Sequence, residues 1–214
     1  MSRAPSTTLD PELLSTLGRL REEGRDIWAR FDREVRSKSW HSFIPAKYDR
    51  VLAALLAMRR SGLRFLEWGS ATGVITIMAD LLGYEAYGIE LDEELVAVAT
   101  DMARRYHSDA RFAQGSFLPE GYVWRPMDGD GRLGTVGEGV SGYVELGHSL
   151  DQFDLVYGYP WDGEDAVMYD LMRVHGAPRA GLLLQRVSGE VQLSREGKVE
   201  RSWASGDLSL PHAH

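Results

Sequence analysis

The spacing of apolar positions changes character near residue 63. Before it, Leu13, Leu17, Leu20, Ile27 and Phe31 recur at helical intervals. Asp10-Pro11-Glu12 opens that helix with an N-cap acid and a proline in the first turn, and Gly24 interrupts it. The residues up to Thr8 read as a loose tail. Ile44-Pro45 breaks the chain, and Tyr48 to Met58 reads as a second amphipathic helix, closed by Arg59, Arg60 and Gly62. From Leu63 onward short apolar runs alternate with helical patterns. LRFLEW, EAYGIE and ARFAQGSF read as strands, separated by the helices VITIMADLLG and DEELVAVATDMARRYH, the latter with Asp92 as N-cap. QFDLVYGY, EDAVMYDLMRVHG and AGLLLQRV then give strand, helix and strand, and EVQLSREGKVERSW alternates as a hairpin around Glu196-Gly197-Lys198. Between Pro119 and Leu150 the period is lost, and 8 of the 32 residues are glycine. That stretch is a surface excursion holding a small hairpin, or a lid over a site.

Strands alternating with helices at this interval predict an α/β fold with a doubly wound, mostly parallel sheet. A helical N-terminal cap (1–62) packs on a domain spanning 63–214 as one compact unit, with 119–150 as a Gly-rich insertion and an antiparallel hairpin at the C-terminal end. Only Val187 to Gly189 separate the fifth strand from the hairpin, too few for a helix.

Composition narrows the class. With 43% apolar and 26% charged residues, no apolar stretch long enough for a membrane and no signal-peptide pattern, the chain is expected to be cytoplasmic. It has no cysteine, so thiolate metal sites and disulfides are excluded. His107, His148 and His175 lack metal-ligand spacing, and no metal is assigned. Residues 1–64 carry 13 Lys/Arg against 8 Asp/Glu and the remainder 11 against 24, balances of +5 and −13 that give the net charge of −8. So acidic a body disfavours nucleic acid as a partner. The N-terminal apolar stripe packs on its own domain or forms a homodimer contact.

The chemistry gathers around FLEWGSATG, Phe65 to Gly73. In an open parallel sheet, ligands bind beyond the carboxyl ends of the strands. Glu67 stands at such an end, and Gly69 and Gly73 let the chain turn sharply toward a helix whose first N–H groups are free. A dinucleotide loop reads GxGxxG; this one reads ExGxxxG, and a carboxylate suits a ligand with a cationic amino group better than a pyrophosphate. The second strand ends Gly88-Ile89-Glu90-Leu91-Asp92, which places an acid where both ribose hydroxyls can donate to it.

With these two acids and the loop between them, the stretch from Leu63 to Val187 resembles the class I S-adenosylmethionine-dependent methyltransferases. The resemblance implies a Rossmann-like sheet in the order 3-2-1-4-5 and S-adenosylmethionine as cofactor. Glu67 would lie near the methionine amino group, and Gly69, Ser70, Ala71, Thr72 and Gly73 would form the loop beneath it. Glu90 would hold the ribose, and Leu91 and Tyr157 would line the cofactor pocket. Ser116 would bind the adenine amino edge, with Phe117 against the ring. After the fourth strand, Gly158-Tyr159-Pro160-Trp161 partly matches the [Asp/Asn]-Pro-Pro-aromatic motif of amine-methylating relatives, with Gly158 where the hydrogen-bonding side chain belongs.

Methyl transfer is an in-line displacement that depends mainly on positioning, so no triad is required. His41 is the candidate base and Tyr159 a second catalytic candidate, while Trp40, Pro160 and Trp161 are expected to line the acceptor pocket. Each has an ordinary alternative as a structural histidine or a packed ring. The expected activity is methyl transfer to an unidentified acceptor, a small molecule or protein side chain before a nucleic acid. The alternatives are a non-catalytic S-adenosylmethionine-binding protein that acts through a partner, and a nicotinamide-dependent oxidoreductase.

Overall fold

The computed structural model describes residues 9–35, 46–60, 62–123, 139–160 and 163–204. Seven strands form one sheet: β1 (Arg64–Trp68), β2 (Glu85–Glu90), β3 (Arg111–Gln114), β4 (Leu155–Gly158), β5 (Gly181–Gln185), β6 (Val191–Arg195) and β7 (Lys198–Trp203). Their order is β3-β2-β1-β4-β5-β6-β7. The first five are parallel, and β6 and β7 add antiparallel to the end. The expected 3-2-1-4-5 order and terminal hairpin are both present. No helix intervenes after β5: β6 turns straight back onto it through Arg186–Glu190, closed by Arg186 N donating to Glu190 O at 2.7 Å. At the β6–β7 turn, Glu196 and Gly197 have φ of 48° and 74°, the two left-handed residues of a type I′ turn.

Helices α1 (Pro11–Val35), α2 (Tyr48–Met58), α3 (Val74–Leu81), α4 (Glu93–Arg105), α5 (Gly142–Leu146) and α6 (Asp165–His175) complete the described elements. The strand period of two sorts the core onto two faces. Phe65, Leu155, Tyr157 and Leu183 join α1, α2 and α3, whereas Leu66, Trp68, Val156, Leu182 and Leu184 join α5 and α6. Leu17 and Leu20 are fully buried in the first of these clusters, with Leu13 and Ile27 packed against it, so the α1 stripe is used within the chain.

Two expectations need correction. First, α1 runs unbroken through Gly24. A Cβ on Gly24 would stand 2.6 Å from Val74 Cγ2 and 3.2 Å from the Tyr48 hydroxyl, so the glycine marks a close helix contact, not a break. Second, the described parts of the 119–150 excursion include a short helix, α5, where none was expected, and the rest of that stretch, 124–138, lies outside the described residues. The chain returns there by a parallel bridge between Ser116 and Ser141. Asp10 and Asp92 cap as expected: Asp10 accepts from Glu12 N, and Asp92 from Glu94 N and Leu95 N.

Candidate functional site

The loop between β1 and α3 is fixed from below by β2. Gly69 N and Ser70 N both donate to Ile89 O, at 2.9 and 3.0 Å, and Gly73 N donates to Ser70 O at 2.7 Å. Three alternate residues, Gly69, Ala71 and Gly73, have φ of 68°, 45° and 76°. The two glycines serve different ends. A Cβ on Gly69 would meet nothing within 4 Å, so that side of the loop is open to a ligand. A Cβ on Gly73 would lie 2.6 Å from Phe112 Cζ and 2.8 Å from Ala99 Cβ, so Gly73 lets α4 and β3 close against the loop. Gly88 plays a similar part: a Cβ there would be 2.7 Å from the Ser70 side chain.

Glu67 is buried, and one carboxylate oxygen accepts from Thr76 N at 2.9 Å and from Thr76 Oγ1 at 2.5 Å. Its pKa is pushed up to about 8; burial is the main cause, the Thr76 hydrogen bonds pull the other way, and the nearby Glu90 charge adds to the rise. Glu90 accepts from Ala71 N at 2.7 Å and from Asp92 N at 3.2 Å, which ties the end of β2 to the crest of the loop. Burial raises its pKa too, against three backbone hydrogen bonds. Two carboxyls held close together with raised affinities for protons form a site that would be relieved by a cation and by hydroxyl donors. Leu91, next along, is exposed.

The remaining residues fall into three groups. Ser116 is buried at the end of β3 and accepts from Leu118 N at 3.1 Å. The Phe117 ring stacks on Trp68 at 5.3 Å and is spent in the core on the α5–α6 face; Trp68 Nε1 in turn donates to the Tyr143 hydroxyl at 2.8 Å. Ser70 and Thr72 are buried within the loop. At the end of β4, Tyr157 is buried and pairs in register with Glu67, Tyr159 is half-buried and Pro160 is buried. Gly158 faces the other way: a Cβ there would lie 2.7 Å from Met168 Sδ, so no Asp or Asn fits at that position without displacing Met168. Trp40, His41 and Trp161, and with them the candidate base, lie outside the described residues.

Several site residues escaped the sequence reading. Thr76 holds Glu67, and Val140 and Ser141 flank the end of β3, where a Cβ on the adjoining Gly139 would lie 3.5 Å from Leu91. At the end of β5 stands Gln185, on the same face as Tyr157. It is fully buried and accepts from Lys47 N at 2.7 Å and from the Tyr157 hydroxyl at 3.4 Å. Gln185 had a visible signal, a lone polar residue ending the apolar run AGLLLQ, much as Glu67 ends FLE. Val140 and Ser141 had none, being embedded in glycine-rich sequence without a period. A cavity of about 570 Å³ lies between α6 and the β6–β7 turn, lined by Tyr169, Arg173 and Arg179, and contains none of the loop residues.

No family model matches the chain, and no curated protein matches it by sequence. Solved structures are similar to it at low identity. An RNA methyltransferase from Salinibacter ruber, crystallised with S-adenosyl-L-homocysteine, is 16% identical with a TM-score of 0.46, over 66% of this chain and 76% of that one. A precorrin-6y methyltransferase from Geobacter metallireducens is 14% identical with a TM-score of 0.43, over 63% and 58%. A SAM-dependent methyltransferase from Agrobacterium tumefaciens is 14% identical with a TM-score of 0.41, over 64% and 42%. This chain thus spans less than two thirds of the latter two.

Proposed function

We propose that this protein binds S-adenosylmethionine at the carboxyl ends of β1 and β2 and transfers its methyl group to an acceptor, a small molecule or a protein side chain. The observation that carries the reading is the pair of acids about one loop. Glu90 and Glu67 are held by backbone and Thr76 donors on either side of a glycine turn that is open at Gly69. Glu90 has the position and charge to accept from the two ribose hydroxyls, and Leu91 offers an apolar surface beside it for a base. Glu67 supplies the negative charge for an amino group. When bound, the cofactor supplies a methyl group on a sulfonium, which needs an aligned nucleophile more than an acid or base.

The test is calorimetric titration of the protein with S-adenosylmethionine, S-adenosylhomocysteine and NAD, repeated on Glu90→Ala. The two sulfur nucleosides are expected to bind and NAD is not, and the variant should lose tenfold or more in affinity. Binding of NAD alone would replace this reading with the oxidoreductase. A second reading, cofactor binding without turnover, draws on Gly158: a Cβ there would lie 2.7 Å from Met168 Sδ, and the position offers no side chain that could accept a hydrogen bond from an amine. Affinity without methyl transfer to any fraction of a small-molecule or protein extract would favour it.

A further inference from the structure

The start of α2 and the end of β5 meet at Gln185, and neither is complete there. The N-cap residue of α2, Lys47, provides no side-chain cap. Lys47 N donates to Gln185 Oε1, and Arg50 N and Val51 N donate to Lys47 O. Among the described residues, the N–H groups of Tyr48 and Asp49 have no hydrogen-bond partner. Gln185 is fully buried, and its Nε2 has no partner either. Lys47 N, which can only donate, lies 2.7 Å from one end of this carboxamide and identifies that end as the oxygen, with the Tyr157 hydroxyl at 3.4 Å from the same atom. The other end is therefore the NH2, beside the first turn of α2. A buried donor without a partner is destabilising, and an uncapped helix start adds two more donors and a positive dipole end.

We infer that Gln185 Nε2 and the first turn of α2 form a binding site for a carboxylate. The neighbouring charges favour an anion. The one acid in that turn, Asp49, is neutralised by Arg21 and Arg25 of α1, and Lys47 and Arg50 flank the turn. Glu67 pairs in register with Tyr157, whose β5 partner is Leu183, two residues before Gln185 on the same face, and the Tyr157 hydroxyl reaches Gln185. An α-amino acid lying along the Tyr157 side chain would have its amino group toward Glu67 and its carboxylate toward Gln185. Two sources supply that chemistry: the methionine end of S-adenosylmethionine, which rests on the function proposed above, or a methyl acceptor that carries a carboxylate.

Gln185→Glu tests the site, because it keeps an oxygen for Lys47 N and the Tyr157 hydroxyl while it replaces the donor with a repelling acceptor. Gln185→Met, which has a similar shape and no donor, serves if the first variant does not fold. Affinities for S-adenosylhomocysteine and for 5′-methylthioadenosine, which lacks the amino-acid end, are measured by calorimetry. In parallel, the Tyr48 and Asp49 amide resonances are followed during titration with sodium acetate against sodium chloride at equal ionic strength. A loss of tenfold or more for S-adenosylhomocysteine with 5′-methylthioadenosine unchanged assigns the carboxylate to the cofactor. Unchanged nucleoside affinities, with acetate shifts in the wild type that vanish in the variant, assign it to the acceptor. With neither a selective nucleoside loss nor a Gln185-dependent acetate response, the site is overturned. If the wild type binds neither nucleoside, the methyl-transfer reading fails and the acetate titration still decides this one.

Discussion

Glu67 concentrates the local chemistry of the site in one side chain. Its carboxyl is enclosed at the end of β1 and held by the first turn of α3, so its protonated form is favoured to about pH 8 against an ordinary value of 4.5. The folded state therefore binds this proton more tightly than the unfolded chain does. The resulting stabilisation is fully present below pH 4.5 and is lost as the pH rises to about 8. Glu67→Gln, which keeps an oxygen for Thr76, should flatten that decline; urea unfolding of both proteins from pH 5 to 8 measures it. A bound cation would pull the proton off, so S-adenosylmethionine binding near pH 7 should release protons from the wild type and not from Glu67→Gln. Calorimetry in buffers of differing ionisation enthalpy reads the difference, and equal release from both proteins removes Glu67 from the amino-group site. That Glu67 was out of place could be read in the sequence, because a carboxylate seldom ends a buried strand without a use. Its partner Thr76 could not, since only the turn at Gly69 to Gly73 brings the helix start back over the strand.

At the level of elements, α1 shows how one residue type carries opposite meanings. Gly18 and Gly24 both lie within it, and a Cβ on Gly18 meets nothing within 4 Å, whereas one on Gly24 presses on Val74 and Tyr48. Gly18→Ala should stabilise the protein by about 0.5–1 kcal/mol through helix propensity. Gly24→Ala gains the same propensity but overpacks the α1–α3 contact, at a cost of about 1–3 kcal/mol. A net loss is expected, recovered when Val74 is also cut to Ala; chemical denaturation of the single and double variants measures the coupling. Strand positions, the capping aspartates and the glycine turn were legible because each leaves a local pattern. The meaning of Gly24 was not, because close approach of two helices is a long-range fact, and a glycine gives no local sign of which neighbour needs its space. The same holds at Gly158, which reads as a missing functional residue and is the seat of Met168.

Across the whole molecule, the N-terminal helices and the sheet share one core. Leu17 and Leu20 of α1 and Val51, Leu52 and Leu55 of α2 are buried in the same cluster as Ile77 and Met78 of α3, Leu183 of β5 and Trp203 of β7. The alternation of periods at residue 63 foretold two kinds of structure but not this union, because period reveals which face of an element is apolar and not what covers it. With no helix between β5 and β6, the antiparallel end of the sheet depends on α2 for cover: Val191, Leu193 and Trp203 lie in that shared cluster, and Arg50 reaches the carbonyl of Ser188 at 3.3 Å. The N-terminal helices are thus part of the domain's stability as well as a wall of the proposed carboxylate site. Leu20→Ala, in the part of this core that α1 supplies, should cost about 2–5 kcal/mol. The loss should appear as one cooperative transition, with tryptophan fluorescence, which includes Trp68 and Trp203 of the sheet, and far-ultraviolet circular dichroism falling at the same denaturant concentration. Early loss of helical signal with only part of the fluorescence change, as when Trp28 of α1 is released while Trp68 and Trp203 stay native, would show instead that the N-terminal helices unfold on their own, and the shared core would then not be what holds α2 against Gln185.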